Sequence, residues 1–262
     1  MRGLLNTIPL TILLFLVILL SIAVMVGLVA VVRRLIPSTK DGFHAEISAP
    51  MLGVVAALFG LLLAFVIVVA YENYLDADRN ASREADALAS IVRDSQAFPE
   101  PAGAEVRRAV GTYVRAVADD EWDKMREGRD SDQARSGLDD VFAAFRQVDP
   151  KTPTATAFYD DAVRQLNEAL DARRDRIQSA KGGLARDITI LILFGSLVII
   201  VYAVLVGSPS FWFHAIGPIA IASVVVFSLL VLADLSYPFS GDVRVEPDEF
   251  RSGVLSQYFP SP

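Results

Sequence analysis

Four stretches of the chain, residues 10–32, 51–71, 188–206 and 216–233, are almost wholly apolar and carry no Asp, Glu, Lys or Arg. About 20 such residues in helical form cross a bilayer. The pattern therefore predicts an all-α membrane protein with four transmembrane helices. The first stretch is too long for a signal peptide and ends in Arg33-Arg34 instead of a small-residue cleavage site, so it reads as a retained span. Gly207, Ser208 and Pro209 separate the last two stretches, and Trp212 suits a membrane interface, which predicts a tight helical hairpin.

Between spans two and three the pattern changes to apolar stripes at helical spacing. Val106, Val110, Tyr113, Val114 and Val117 form one stripe, and Leu138, Val141, Phe142 and Phe145 another. A third runs through Phe158, Ala162, Leu166, Leu170 and Ile177, interrupted by Arg173. Pro99, Pro101, Pro150 and Pro153 punctuate the segment. These features predict helices over about 72–96, 103–127, 132–147 and 154–180, which together make a helical bundle. Nothing breaks the chain between Met51 and Gln96, so span two can continue outward as one helix of roughly 70 Å. Its stripe of Tyr74, Ala81, Ala85, Leu88 and Val92 suits the bundle core or a meeting of copies about an axis. The resulting division is 1–71 for the first two spans, 72–187 for a cytoplasmic helical domain, 188–233 for the hairpin and 234–262 for a cytoplasmic tail.

Composition narrows the chemistry. Of 262 residues 53% are hydrophobic, none is Cys, and the net charge is −7. Thiolate metal sites, disulfides and Cys nucleophiles are thereby excluded, and nucleic acid is not an expected partner. Nine basic residues (Arg2, Arg79, Arg83, Arg173, Arg174, Arg176, Lys181, Arg186 and Arg244) flank the spans on the side of the termini, against Arg33, Arg34 and Lys40 on the other. The excess places the termini and 72–187 in the cytoplasm, with the protein in a plasma membrane. Segment 72–187 holds 24 acidic and 18 basic residues, a mixed and mostly solvated surface.

Catalytic signatures are missing: there is no P-loop, nucleophile elbow or zinc-protease motif. The pair His44 and Glu46 reads as a solvated loop, and Asp119-Asp120-Glu121 and Asp139-Asp140 as solvated helix faces. No enzymatic activity, cofactor or metal is expected. The spans lack ionisable groups, which argues against a proton-coupled pump but not against a passive pore lined by small and apolar residues. Span two has the composition for one. Gly53, Ala56, Ala57, Gly60 and Ala64 share a side, allowing close helix packing or a pore lining. Glu72, Asp76 and Arg79 at its exit would form charged rings at a pore mouth in a symmetric assembly. After the fourth span, Pro238 stops the helix, Phe239 offers a ring for insertion, and Gly241 permits an unusual backbone angle.

Three stretches carry a resemblance. They are the acidic helix at Glu84-Ala85-Asp86-Ala87-Leu88, the run from Phe98-Pro99-Glu100-Pro101 through Val106, Tyr113 and Val117 to Glu121-Trp122, and the tail Asp234-Leu235-Ser236-Tyr237-Pro238-Phe239-Ser240-Gly241 with Val245. Over roughly residues 50–260 the sequence resembles the bacterial bestrophin-like family of four-span membrane proteins. Tyr237 departs from the basic residue expected there, and neither the channel's calcium clasp nor its pore motif is recognisable. The resemblance implies a homo-oligomeric channel, a pentamer by analogy, conducting small anions with span two at the axis. The preponderance of Arg over Lys, 20 to 4, resembles a GC-rich bacterium. Two other readings fit the layout: a stator-type energy-coupling subunit with a single-span partner, and a membrane-anchored sensor or scaffold.

Overall fold

The computed structural model describes residues 9–40 and 45–260. Among these there are helices and turns and no strand. Four of the helices are long and apolar enough to cross a membrane. The chain divides into two compact units. One holds the apolar helices and the other the segment between spans two and three together with the C-terminal tail.

In the first unit α1 spans Leu10–Leu35, α2 begins at Ala45, and the helices that follow the inserted segment are Arg186–Leu205 and Phe211–Leu235. The last of these starts five residues before the expected 216. The break is confined to Val206–Ser210, where Ser210 is extended, so Trp212, Phe213 and His214 are helical. Helix α2 also starts before Pro50, which sits within its first turns. His44 and Arg2 lie outside the described residues. Phe59, Leu63 and Ala70 of α2 pack with Ile192, Ile199, Val225 and Leu232 in one core. Met25 and Val29 of α1 pack with Val204, Ala215 and Ala222 in another. Gly195 is what lets Phe59 in: a Cβ there would stand 2.5 Å from the ring.

In the second unit, α2 runs on to Asp94 without a break. Helix α3 spans Ala102–Ala116, a π-helical turn covers Val117–Glu121, and a short α4 covers Trp122–Met125. Helices α5 (Asp132–Phe145) and α6 (Pro153–Lys181) follow, and the two membrane helices named above are α7 and α8. Local chemistry sets the starts of α5 and α6. The Ser131 hydroxyl accepts from the Ala134 amide at 3.2 Å, and the Thr152 hydroxyl accepts from the Ala155 amide at 3.1 Å, with Pro153 in the first turn.

The stripes meet in one core containing Leu88, Val92, Val110, Tyr113, Leu138, Val141, Leu166 and the tail residues Phe239, Phe250 and Leu255. The stripe from Ala81 to Val92 is therefore buried inside the unit, and the reading in which copies of it meet about an axis is set aside. Two other expectations change. Phe158 is 42% exposed, because Tyr159 takes the inward place and packs against Phe98 and Phe145. Glu121 is fully buried while Asp119 is exposed, because the π turn carries the chain round the helix within the acidic run.

Candidate functional site

Successive residues of an α-helix turn by about 100°, so Gly53, Ala56, Ala57, Gly60 and Ala64 lie along one side of α2. The core contacts of α2 are made from another side, by Phe59 and Leu63. The small residues are left outside: Gly53, Ala57, Gly60 and Ala64 are exposed and Ala56 is half-buried. A Cβ at Gly53 or Gly60 would meet no described atom within 4 Å. Packing against another described helix of the same chain thus does not account for these two glycines. Large apolar neighbours, Val54, Leu58, Leu61 and Phe65, flank the stripe and are exposed as well. The surface is suited to hydrocarbon or to another copy of the helix.

Glu72, at the end of the first unit, is exposed. Asp76 and Arg79 in the second unit are exposed too, and they form an ion pair of 2.9 Å one turn apart. Pairs of this kind contribute at most about 1 kcal/mol.

The tail residues are placed with more constraint. After α8 ends at Leu235, Pro238, Phe239, Ser240 and Gly241 are all buried, and Gly241 has φ of 81°. That angle is costly for a side chain bearing a Cβ. The Phe239 ring stands edge-on to Trp122 at 5.6 Å. The Ser240 hydroxyl donates to the Arg126 carbonyl at 2.7 Å, and the Val245 amide donates to the Pro238 carbonyl at 2.8 Å. Trp122 donates its indole N–H to the Val245 carbonyl at 3.0 Å. The tail is therefore part of the helical unit's own core. Phe239→Ala should destabilise this unit by about 3 kcal/mol, from lost burial and the cavity left behind. Thermal unfolding followed by Trp122 fluorescence would show the loss.

Beneath Trp122 lies an ionic cluster that sequence reasoning missed. Arg176 of α6 and Glu84 of α2 are fully buried and joined side by side: Nε donates to Oε2 at 2.7 Å and Nη2 to Oε1 at 3.1 Å. The same Nη2 donates to Glu121 Oε2 at 2.9 Å. Arg173 donates to Glu121 Oε1 at 2.5 Å, and the Tyr113 hydroxyl donates to Glu84 Oε1 at 2.5 Å. Two arginines thus balance two carboxylates. Burial opposes charge on Arg176, but Glu84 and Glu121 outweigh it and hold the guanidinium's pKa above its ordinary value. Burial and then Glu84 push the Tyr113 phenol well above its usual range, so it stays a donor. The Trp122 and Phe250 rings cover Arg176 at 5.0 and 5.7 Å. Two signals in the sequence pointed here: Arg173 interrupts an apolar stripe, and Arg176 stands one turn beyond it.

Asp94, the last residue of α2, is also buried, and its Oδ2 has no hydrogen-bond partner among the described residues. Burial, then Asp161, raises its pKa. The native state consequently binds this proton more tightly than the unfolded chain does. Stability from Asp94 is fully present below its unfolded pKa and declines as pH rises through the folded one. Asp94→Asn should remove that decline and raise the melting temperature at neutral pH, where melting curves across a pH series would compare the two proteins.

The family model described as the Bestrophin-like domain matches residues 19–250. A crystal structure of a bacterial bestrophin homologue from Klebsiella pneumoniae aligns with a TM-score of 0.69 at 12% identity, covering 94% of this chain and 100% of that one. A single-substitution variant of that homologue aligns with a TM-score of 0.68 at 12% identity, covering 92% and 96%. No curated protein matches by sequence. Among the described residues, no three His, Asp or Glu side chains are grouped to hold a metal ion.

Proposed function

The chain belongs to the bestrophin-like family, and on that premise we propose that it is a homo-oligomeric membrane channel for small anions with α2 about the central axis. The observation that carries the proposal is the exposed small-residue side of α2, where a Cβ added at Gly53 or Gly60 would meet no described atom within 4 Å. Copies of this side, brought together about an axis, leave a narrow lumen between helices whose backbones are bare at each glycine. An apolar lumen of this kind conducts where it is wide enough to stay wet and closes by dewetting where it narrows. No ionisable side chain lies on α2 between Met51 and Tyr71, so the lumen offers a permeant ion no fixed countercharge to hold it.

Further along α2, symmetry would multiply Glu72, Asp76 and Arg79 into rings of alternating charge. Glu72 and Asp76 outnumber Arg79 in these rings, and Asp76 pairs with Arg79 at 2.9 Å in each copy, so the choice of anions follows the family and not the charge of this mouth. The pentameric state follows the family resemblance. The excess of Lys and Arg on the side of the termini orients that side toward the cytoplasm of a bacterial cell.

Purified protein in planar bilayers should give unitary anion currents, and in liposomes it should dissipate a chloride gradient. Silence in both assays across calcium concentration, pH and voltage would overturn the proposal.

A further inference from the structure

His214 lies in the first turn of α8 and is 2% exposed. Both its ring nitrogens are engaged. Nε2 is 2.9 Å from the Val204 carbonyl oxygen on α7, and Nδ1 is 3.4 Å from Nη1 of Arg33 on α1. A carbonyl can only accept, so Nε2 carries the hydrogen and Nδ1 presents its lone pair to the guanidinium. That guanidinium also holds the turn between α7 and α8. Nη1 donates to the Ser208 carbonyl at 2.7 Å and Nη2 to the Pro209 carbonyl at 2.8 Å, while the Phe211 ring lies 5.9 Å away. The turn is seated closely, since a Cβ on Gly207 would overlap the Thr39 carbonyl. A single arginine therefore fastens the turn, and a neutral imidazole completes the arginine's set of acceptors.

We propose that His214 is a proton-operated latch for the 206–210 turn, holding it through Arg33 when neutral and releasing it when protonated. Adding a proton turns Nδ1 from an acceptor into an N–H donor, so two donors face each other and the hydrogen bond is lost. It also sets a second positive charge beside the first in a site largely closed to water, where like charges repel more strongly than on a surface. Among the described residues, the charged side chain facing the ring is that of Arg33. Arg34, next on α1, is exposed, and α7 and the turn present backbone carbonyls. Arg33 can relieve the repulsion by swinging outward, and in doing so it gives up Ser208 and Pro209. Acidification on the membrane face that carries this turn would loosen the α7–α8 hairpin at its tip. Motion of the turn reads out the latch whether or not the protein conducts ions.

Hydrogen–deuterium exchange of the full chain in nanodiscs, corrected for the intrinsic pH dependence of exchange, tests it. On going from about pH 8 to about pH 5, amides of 206–214 in the wild type should gain about tenfold in exchange, the scale expected of one lost charge-assisted contact. His214→Gln keeps a donor for Val204 and cannot be protonated, so its exchange should not change with pH. An unchanged wild type would overturn the latch by itself, whatever the variants do. An equal rise in His214→Gln would overturn it as well.

Discussion

Arg176→Met should unfold the helical unit more readily than any other single change to its core, costing about 3–5 kcal/mol, the usual penalty for stranding a buried charge. Arg176 is fully buried and bonds to both Glu84 and Glu121. Methionine fills much of its volume but leaves Glu84, among the described residues, with only the Tyr113 hydroxyl at 2.5 Å. Arg173 stays on Glu121 Oε1 and cannot serve both acids. Arg176→Lys should fall between, because an ammonium cannot reproduce the paired Nε and Nη2 contacts to Glu84. Replacing Glu84 by methionine together with Arg176 should recover part of the loss, since an apolar pair can match a buried ion pair in stability. Denaturant unfolding followed by the fluorescence of Trp122, whose ring lies 5.0 Å from the guanidinium carbon, reads the effect directly. An Arg176→Met variant within about 1 kcal/mol of wild type would show that the cluster contributes little to the fold.

Gly60→Leu is expected to abolish assembly or conductance while leaving the individual chain folded. No described atom lies within 4 Å of a Cβ at this position, so the first carbon of the new side chain meets no obstacle among the described residues. Helix propensity favours leucine over glycine by up to about 1 kcal/mol. If the residue faced lipid, leucine would be as acceptable as any apolar group. Against another copy of α2, or in a narrow lumen, the added volume holds helices apart or fills the passage. The two situations predict opposite outcomes, and the proposed function requires the second. Leu62→Ala, on another side of α2 and half-buried, should be much milder. Native mass measurement in detergent and anion flux in liposomes check the pair.

The four spans were legible because each apolar stretch is long and free of charge, a signal that survives any detail of packing. The inserted bundle was legible from its stripes, and the starts of α5 and α6 fall at Ser131 and Thr152, residues suited to capping. The ionic cluster was not, because pattern reading assigns charged residues to solvent. Glu121 sits in an acidic run whose inward member is chosen by the π turn, and nothing local in Val117–Glu121 announces a π turn. Arg173 and Glu84 find their partners only in three dimensions, 52 residues apart for Arg173 and Glu121. The same holds for Arg33 and His214, 181 residues apart, which meet because α8 begins before the expected position. The small-residue stripe was visible in sequence. That a Cβ on its two glycines would meet no described atom shows only in three dimensions.

The chain contains no cysteine, so Gly60→Cys introduces a unique thiol on the side of α2 assigned to the axis. Current through this variant in a planar bilayer, recorded while a charged methanethiosulfonate reagent is applied, shows whether position 60 faces the conducting path. Currents should change in discrete steps as successive subunits are modified, with reagents of opposite charge acting in opposite directions. Currents that persist unaltered, with the thiol labelled to completion, would contradict the placement of α2 about the axis.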